Sequence, residues 1–151
     1  MSSSNDSVIS FRIADINTHE YALIEENYNS VQDNDSSLIS SIEFGADPDK
    51  RILGIRLKFI FEQDSKPFLI ISTIVGFVIE EASWESLFTE KGDEIIIPLN
   101  FATHMGLIGT GTVRGILHEK TANSGINAII LPPIDLTNHI SEDVRVNLMD
   151  T

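Results

Sequence analysis

The sequence contains no cysteine. That excludes a disulfide framework, a thiolate zinc site and a cysteine nucleophile. Basic residues are scarce: 10 Lys and Arg face 23 Asp and Glu, for a formal net charge of −13. So acidic a surface repels a phosphate backbone, which argues against nucleic acid as a partner and against docking on an anionic membrane. The same charge favours solubility and steering towards a basic partner. Long hydrophobic runs are also missing. The longest apolar stretch, Phe68 to Ile79, is broken by Ser72, Thr73 and Gly76 and is too short to cross a bilayer as a helix. Met1 to Ser7 are polar, without the basic start or apolar run of a secretory signal. The expectation is a cytoplasmic protein with no membrane insertion.

What is present fits one domain over residues 1–151. A chain of this length buries roughly 70% of the surface its unfolded form exposes. Its 42% hydrophobic content is close to the globular norm. Residues 1–7 and 138–151 are polar and are expected to form flexible tails.

Apolar periodicity gives four strands. From Ser7, Ile9, Phe11 and Ile13 alternate with Ser10, Arg12 and Ala14, and the alternation fades past Asp15. Residues 25–36 are rich in Asn, Asp, Glu and Ser and read as a loop. Leu38, Ser40, Ile42 and Phe44 mark a second strand, and Ala46 to Lys50 a turn around Pro48. In Arg51 to Gln63, Leu53, Ile55, Leu57, Phe59 and Phe61 form one unbroken apolar face. The fourth strand, Pro67 to Glu80, is apolar on both faces: Leu69, Ile71, Val75, Phe77 and Ile79 on one, Phe68, Ile70, Ile74 and Val78 on the other. Short turns make such strands antiparallel, and an antiparallel sheet usually leaves one face wet. Something is therefore expected to cover the second face of strand four.

A helical turn is expected over Ala82 to Phe88, with Trp84, Leu87 and Phe88. A long helix follows from Ile95 or Pro98 to about Glu119, because Leu99, Ala102, Met105, Gly106, Gly109, Val113, Ile116 and Leu117 keep helical spacing. Strands first and a helix afterwards define an α+β fold: a four-stranded antiparallel sheet followed by a long crossing helix.

No chemical motif stands out. The glycines at 106, 109, 111 and 115 precede no Lys-Ser/Thr pair, so they do not make a phosphate loop. Each costs about 1 kcal/mol against Ala inside a helix, which close packing on another backbone would offset. His19, His104, His118 and His139 lack zinc-ligand spacing. No Gly-x-Ser-x-Gly elbow exists. No catalytic residue, metal or cofactor is assigned. An enzyme alternative, a small acyl-ester hydrolase, would need a carboxylate at the helix start facing a tunnel, where only Asp93 or Glu94 stands.

Five strings give the chain a likeness to a known family: Pro67-Phe68-Leu69, Gly76-Phe77-Val78, Ile97-Pro98 leading into the long helix, Arg114-Gly115 near its end, and Leu131-Pro132-Pro133-Ile134-Asp135-Leu136 beyond it. With them the chain from Phe68 onward resembles the SecB export-chaperone family. Before that point only the strand layout matches. The resemblance implies a homotetramer built as a dimer of dimers. It implies binding of unfolded, extended polypeptides in apolar grooves without ATP, and docking of the SecA translocation motor on acidic sheet residues. Two departures stand out. Only fifteen residues follow Leu136, which cuts short the family's second C-terminal helix, and no acid stands near Ile71 or Ser72, where motor-docking members carry one. The expected peptide contacts are Ile70, Ile74, Val78, Trp84, Leu87 and Phe88, although the aromatics would equally suit a satellite core cluster. The expected oligomer interface is the small-residue helix face of Gly106, Gly109, Val113 and Ile116. The functional expectation is a holdase. The alternatives are a non-chaperone scaffold, or an antitoxin-type dedicated-partner protein of the same fold.

Overall fold

A computed structural model describes residues 8–148. Residues 1–7 and 149–151, expected to be tail, lie outside the described residues. Four strands, β1 (Phe11–Leu23), β2 (Ser37–Asp47), β3 (Ile52–Gln63) and β4 (Lys66–Ile79), form one sheet in the order β1-β4-β3-β2, with every neighbouring pair antiparallel. A short helix, α1 (Glu81–Glu85), leads to β5 (Glu94–Ile97) and the long helix α2 (Leu99–Ala122). The chain returns as β6 (Val144–Asn147), which pairs with β5. The α+β reading holds.

The sheet's inner face makes the core. Leu53, Ile55, Leu57 and Phe59 of β3 and Leu69, Ile71, Val75, Phe77 and Ile79 of β4 are fully enclosed. From α2, Phe101, Ala102, Met105, Val113 and Leu117 are buried with them in one apolar cluster. Burying a side chain of that size stabilises by about 1.5–3 kcal/mol against leaving it in water. Two glycines set how closely the helix lies. A Cβ at Gly109 would stand 2.6 Å from Leu57 Cδ1, and one at Gly106 would stand 3.1 Å from both Leu136 and Ile140. The inner face also holds Thr73, whose hydroxyl meets that of Thr18 at 3.2 Å, so a buried polar pair is satisfied across β1 and β4.

Three places differ from the sequence reading. First, β1 runs on to Leu23. Irregularities between Ile13 and Asp15 and between Thr18 and Glu20 reset its phase. A bulge inserts one residue, so the apolar period breaks without ending the strand. Second, α2 starts at Leu99, because residues 94–97 are extended and bury Ile95 and Ile97 in strand alternation. Third, the segment after 138, expected to be loose, packs onto the core through Ile140 and Val146 and forms β6.

That segment also finishes the helix. The Leu99 N–H donates to Asp143 Oδ1 at 2.8 Å, so a carboxylate distant in sequence caps the first turn of α2, where the helix dipole favours negative charge. Further along, Arg114 Nε donates to the Leu131 carbonyl at 2.7 Å and Arg114 Nη2 to that of Pro132 at 3.2 Å. The Arg114-Gly115 and Leu131-Pro132-Pro133 strings therefore meet in space: the guanidinium satisfies two carbonyls of a proline-stiffened segment.

Candidate functional site

Strand pairing places the other face of the sheet in five cross-strand rows. Partners in an antiparallel register share a face, so each row is read straight from the pairing. The first row is Ile39, Ile60, Ile70 and Ala22. The second is Ser41, Lys58, Ser72 and Glu20, where Lys58 Nζ reaches Glu20 at 3.2 Å. The third is Glu43, Arg56, Ile74 and Asn17, with Arg56 and Glu43 paired at 3.4 Å. The fourth is Gly45, Gly54, Gly76 and Asp15, and the fifth is Asp47, Ile52, Val78 and Arg12.

Helix α2 lies on the opposite side, against Leu57 and its row. Among the described residues, the outer apolar side chains are covered only by their neighbours. Ile52, Ile60, Ile70, Ile74 and Val78 are half-buried, and Ile39 is 49% exposed. They form two apolar patches parted by the Ser41–Lys58–Ser72–Glu20 row, and exposed apolar patches on a folded chain mark interaction sites more often than chance would. Both ion pairs on this face are solvent-accessible, so they contribute little stability and mainly keep the face soluble.

The glycine row adds relief. Adjacent strands lie about 4.8 Å apart, so Gly45 and Gly54 leave a short trough across β2 and β3, which the Ile52 and Asp15 side chains close over at Gly76. Ile74, Arg56 and Glu43 form one wall; Ile52, Val78 and Asp47 form the other. A cavity of about 210 Å³ opens where Gly45, Gly54, Arg56 and Ile74 meet.

At the end of the sheet near the β3–β4 turn, residues 24–36 fold over the strands. The Ile24 N–H donates to the Phe68 carbonyl at 2.7 Å, and Tyr28 packs on the Phe68 ring at 5.1 Å between centroids. Gln63, almost fully buried, clamps this segment: its Oε1 accepts from Asn29 N–H at 2.7 Å, and its Nε2 donates to the Asn29 carbonyl and the Ser36 hydroxyl. Phe68 is thereby removed from the open surface, although its neighbour Ile70 is not.

Of the residues expected to touch a peptide, Ile70, Ile74 and Val78 share this outer face. Trp84 and Leu87 do not: both are buried, and Trp84 packs edge-on against Phe88 at 5.7 Å beside β5. Only Phe88 of that group is half-exposed. Of the residues expected at an interface between copies, Gly106, Gly109 and Val113 are covered by this chain's own sheet and C-terminal segment, and Ile116 is half-buried. The outward side of α2 carries Leu107, Gly111 and Gly115 instead. Ile13 and Ile16 of the edge strand β1 are 45% and 50% exposed. Ile39, Ile52 and Ile60, which the sequence puts on the second faces of β2 and β3 but does not single out as contacts, also belong to the outer face. Their alternation is visible, but only the pairing register joins them to β4.

No reacting constellation assembles among the described residues. Two Ser–His contacts exist, Ser72 Oγ with His19 Nε2 at 3.2 Å and Ser40 Oγ with His139 Nε2 at 3.0 Å. Ser72 is buried, and neither imidazole is hydrogen-bonded to a carboxylate that would orient it as a base. Asp135 acts on His139 only at a distance. Its own carboxyl is held below the usual carboxylate range, chiefly by the Thr137 hydroxyl and then by the Thr137 N–H. Glu94, expected at the helix start, instead opens β5 and is engaged by Arg145 at 2.8 Å. No group of three acids or histidines is placed to hold a metal ion among the described residues, and no described helix is long and apolar enough to cross a membrane.

This architecture is the SecB-like fold. A solved structure with the same arrangement is the Mycobacterium tuberculosis SecB-like chaperone Rv1957, in complex with a ChAD peptide from the Rv1956 HigA1 antitoxin. It superimposes with a TM-score of 0.53 over 83% of this chain and 88% of that one, at 11% sequence identity. Neither a protein-family model nor a curated protein matches the sequence.

Proposed function

We propose that this protein is a SecB-like chaperone that holds unfolded, extended polypeptide segments without ATP. The observation that carries this reading is the outer sheet face: a row of isoleucines across the strands, a glycine trough on the same face, and no layer of the described chain on top. Apolar side chains of an unfolded client gain from leaving water there, and the trough admits a chain without demanding a particular sequence. The peptide bound by the structural neighbour supports polypeptide binding as the common theme of the fold. The role is binding, not catalysis, and the setting is the cytoplasm. Docking of the SecA motor is not part of the proposal, because the fourth strand carries Ile71 and Ser72 where that docking calls for an acid.

The active species in this reading is an oligomer, a homotetramer by analogy of fold. Its contacts would come from the open edge of β1, with Ile13 and Ile16, and from Leu107 and Gly111 on the outward side of α2. A dedicated antitoxin-type partner, as opposed to many clients, is the second reading, and the antitoxin peptide on the neighbour favours it.

The test is suppression of aggregation of a chemically denatured client by the intact protein. Ile70→Glu and Ile74→Glu place charge on the outer face while leaving the core untouched. Both are expected to abolish suppression with unchanged solution mass by light scattering. Full suppression by both variants refutes the assignment of this face. Failure of the unaltered protein with every denatured client, alongside capture of one stoichiometric partner, selects the dedicated-partner reading.

A further inference from the structure

Where β4 ends, the start of β1 and the turn before β3 close around a cavity of about 370 Å³ whose lining includes Arg12, Arg51, Val78 and Glu80. The volume lies at the small end of the range for ligand cavities, about 300–1,000 Å³. It is continuous with the outer face, since Val78 belongs to both and Arg12 stands opposite Val78 in the β1–β4 register.

The charge here runs against that of the chain. The ion pairs of the described residues employ Arg56, Lys58 and Arg145. Arg12 is exposed, and its side chain makes no hydrogen bond or ion pair among the described residues. Arg51 sits in the turn with φ of 54°, a region that side-chain-bearing residues seldom occupy. Three bonds hold it there: the Arg51 N–H donates to the Pro48 carbonyl at 3.4 Å, the Ile79 N–H donates to the Arg51 carbonyl at 2.8 Å, and Arg51 Nε donates to the Ile79 carbonyl at 3.2 Å. Only Nε is used, so the terminal nitrogens keep their donors. Two guanidinium groups thus share one cavity against a single carboxylate, Glu80, on a protein whose net charge is −13.

A guanidinium presents a planar fork of N–H donors that matches a carboxylate, and such charge-assisted bonds are among the stronger ones available at a surface. We propose that this cavity binds a carboxylate carried by the polypeptide on the outer face, so that preferred segments place an acidic group one step beyond an apolar one. The inference rests on the polypeptide-binding reading and adds a chemical preference to it. Long-range repulsion by the acidic chain disfavours acidic clients in general. Selection is therefore local, exerted at short range by Arg12 and Arg51.

The test uses the full chain and fluorescence anisotropy with three short apolar peptides. One carries a single glutamate and an amidated C-terminus, one carries glutamine there and is amidated, and one carries glutamine with a free C-terminal carboxylate. The glutamate peptide is expected to bind about three- to tenfold more tightly than the amidated glutamine peptide. Arg12→Gln, at a side chain with no other described partner, should erase that advantage and leave the affinity for the amidated glutamine peptide unchanged. Arg51→Gln should do the same, read alongside its stability because it also loses the bond to Ile79. Glu80→Gln should widen the advantage, a change of opposite sign that general damage to the fold would not produce. The free-terminus peptide identifies the source: a gain there admits a C-terminal carboxylate, and its absence restricts the site to acidic side chains. Equal binding of the glutamate and amidated glutamine peptides overturns the inference while leaving polypeptide binding intact, as does an advantage that survives Arg12→Gln. Absence of binding by all three peptides overturns both.

Discussion

Gly109→Ala tests how α2 is seated on the sheet. Two effects of opposite sign compete. Replacing glycine by alanine inside a helix gains about 1 kcal/mol of intrinsic propensity. The new methyl, however, would stand 2.6 Å from Leu57 Cδ1 and 3.2 Å from Leu57 Cδ2, and Leu57 is fully enclosed. A buried leucine with no free space cannot swing aside without displacing its neighbours, and such overpacking costs about 1–3 kcal/mol. Gly115→Ala, on the exposed side of the same helix with nothing within 4 Å of its Cβ, gains the propensity and meets no clash. The difference between the two variants cancels the shared term and isolates packing, so Gly109→Ala should be less stable than Gly115→Ala by about 1–3 kcal/mol. Urea unfolding at fixed protein concentration measures it, followed by fluorescence of Trp84, the chain's one tryptophan, which is 4% exposed. Leu57→Val in the Gly109→Ala background should recover part of the loss, since it withdraws the crowding methyls. Equal stability of the two alanine variants would refute the close seating and leave the helical glycines without a structural reason.

The legible parts of the fold are those where one residue's period settles the matter. Leu53 to Phe61 alternate without interruption, and β3 follows. Both faces of β4 are apolar, yet the pattern does not say what lies on each side. The structure answers differently for the two: α2 covers the Leu69–Ile79 side, and the Ile70–Val78 side stays open. The glycine string was legible as a packing surface, and Gly106 and Gly109 do seat the helix, but against the chain's own Leu57 and Leu136. Bulges hid the second half of β1, because one inserted residue reverses every later side chain. The short strand β5 was absorbed into the helix because Ile95 and Ile97 at spacing two, just before Pro98, look like a continued apolar run. Its partner β6 lies 50 residues onward, beyond any local pattern. The outer-face rows and the Arg12–Arg51 cavity depend on register between distant strands, which a single sequence does not display.

Three further outcomes follow. Asp143→Ala removes the acceptor of the Leu99 N–H at the positive end of α2 and should cost about 1 kcal/mol, with faster hydrogen exchange in the first turn; Asp143→Asn should lose only part of that, and no loss for Asp143→Ala would dismiss the cap. Asp135 has a carboxyl pKa below its ordinary value of 3.8, with the Thr137 hydroxyl as the largest cause, so its contribution to stability is present above that value and fades as pH falls through the lowered one. Thr137→Ala should raise the Asp135 pKa in an NMR titration, and an unmoved titration would contradict the hydrogen bond. Gly54→Ala sets stability against binding. A Cβ there would meet Ile74 Cγ2 at 3.9 Å, an ordinary contact, so nothing among the described residues requires glycine, and alanine should stabilise by about 0.5–1 kcal/mol through lower backbone entropy in the unfolded state. A strand that forgoes this gain in the middle of an uncovered face keeps its backbone bare for something outside it. If that something is an extended client crossing the trough, the variant must unfold at higher urea and yet hold peptide less well. A variant that is more stable and binds undiminished would place the client elsewhere on the face.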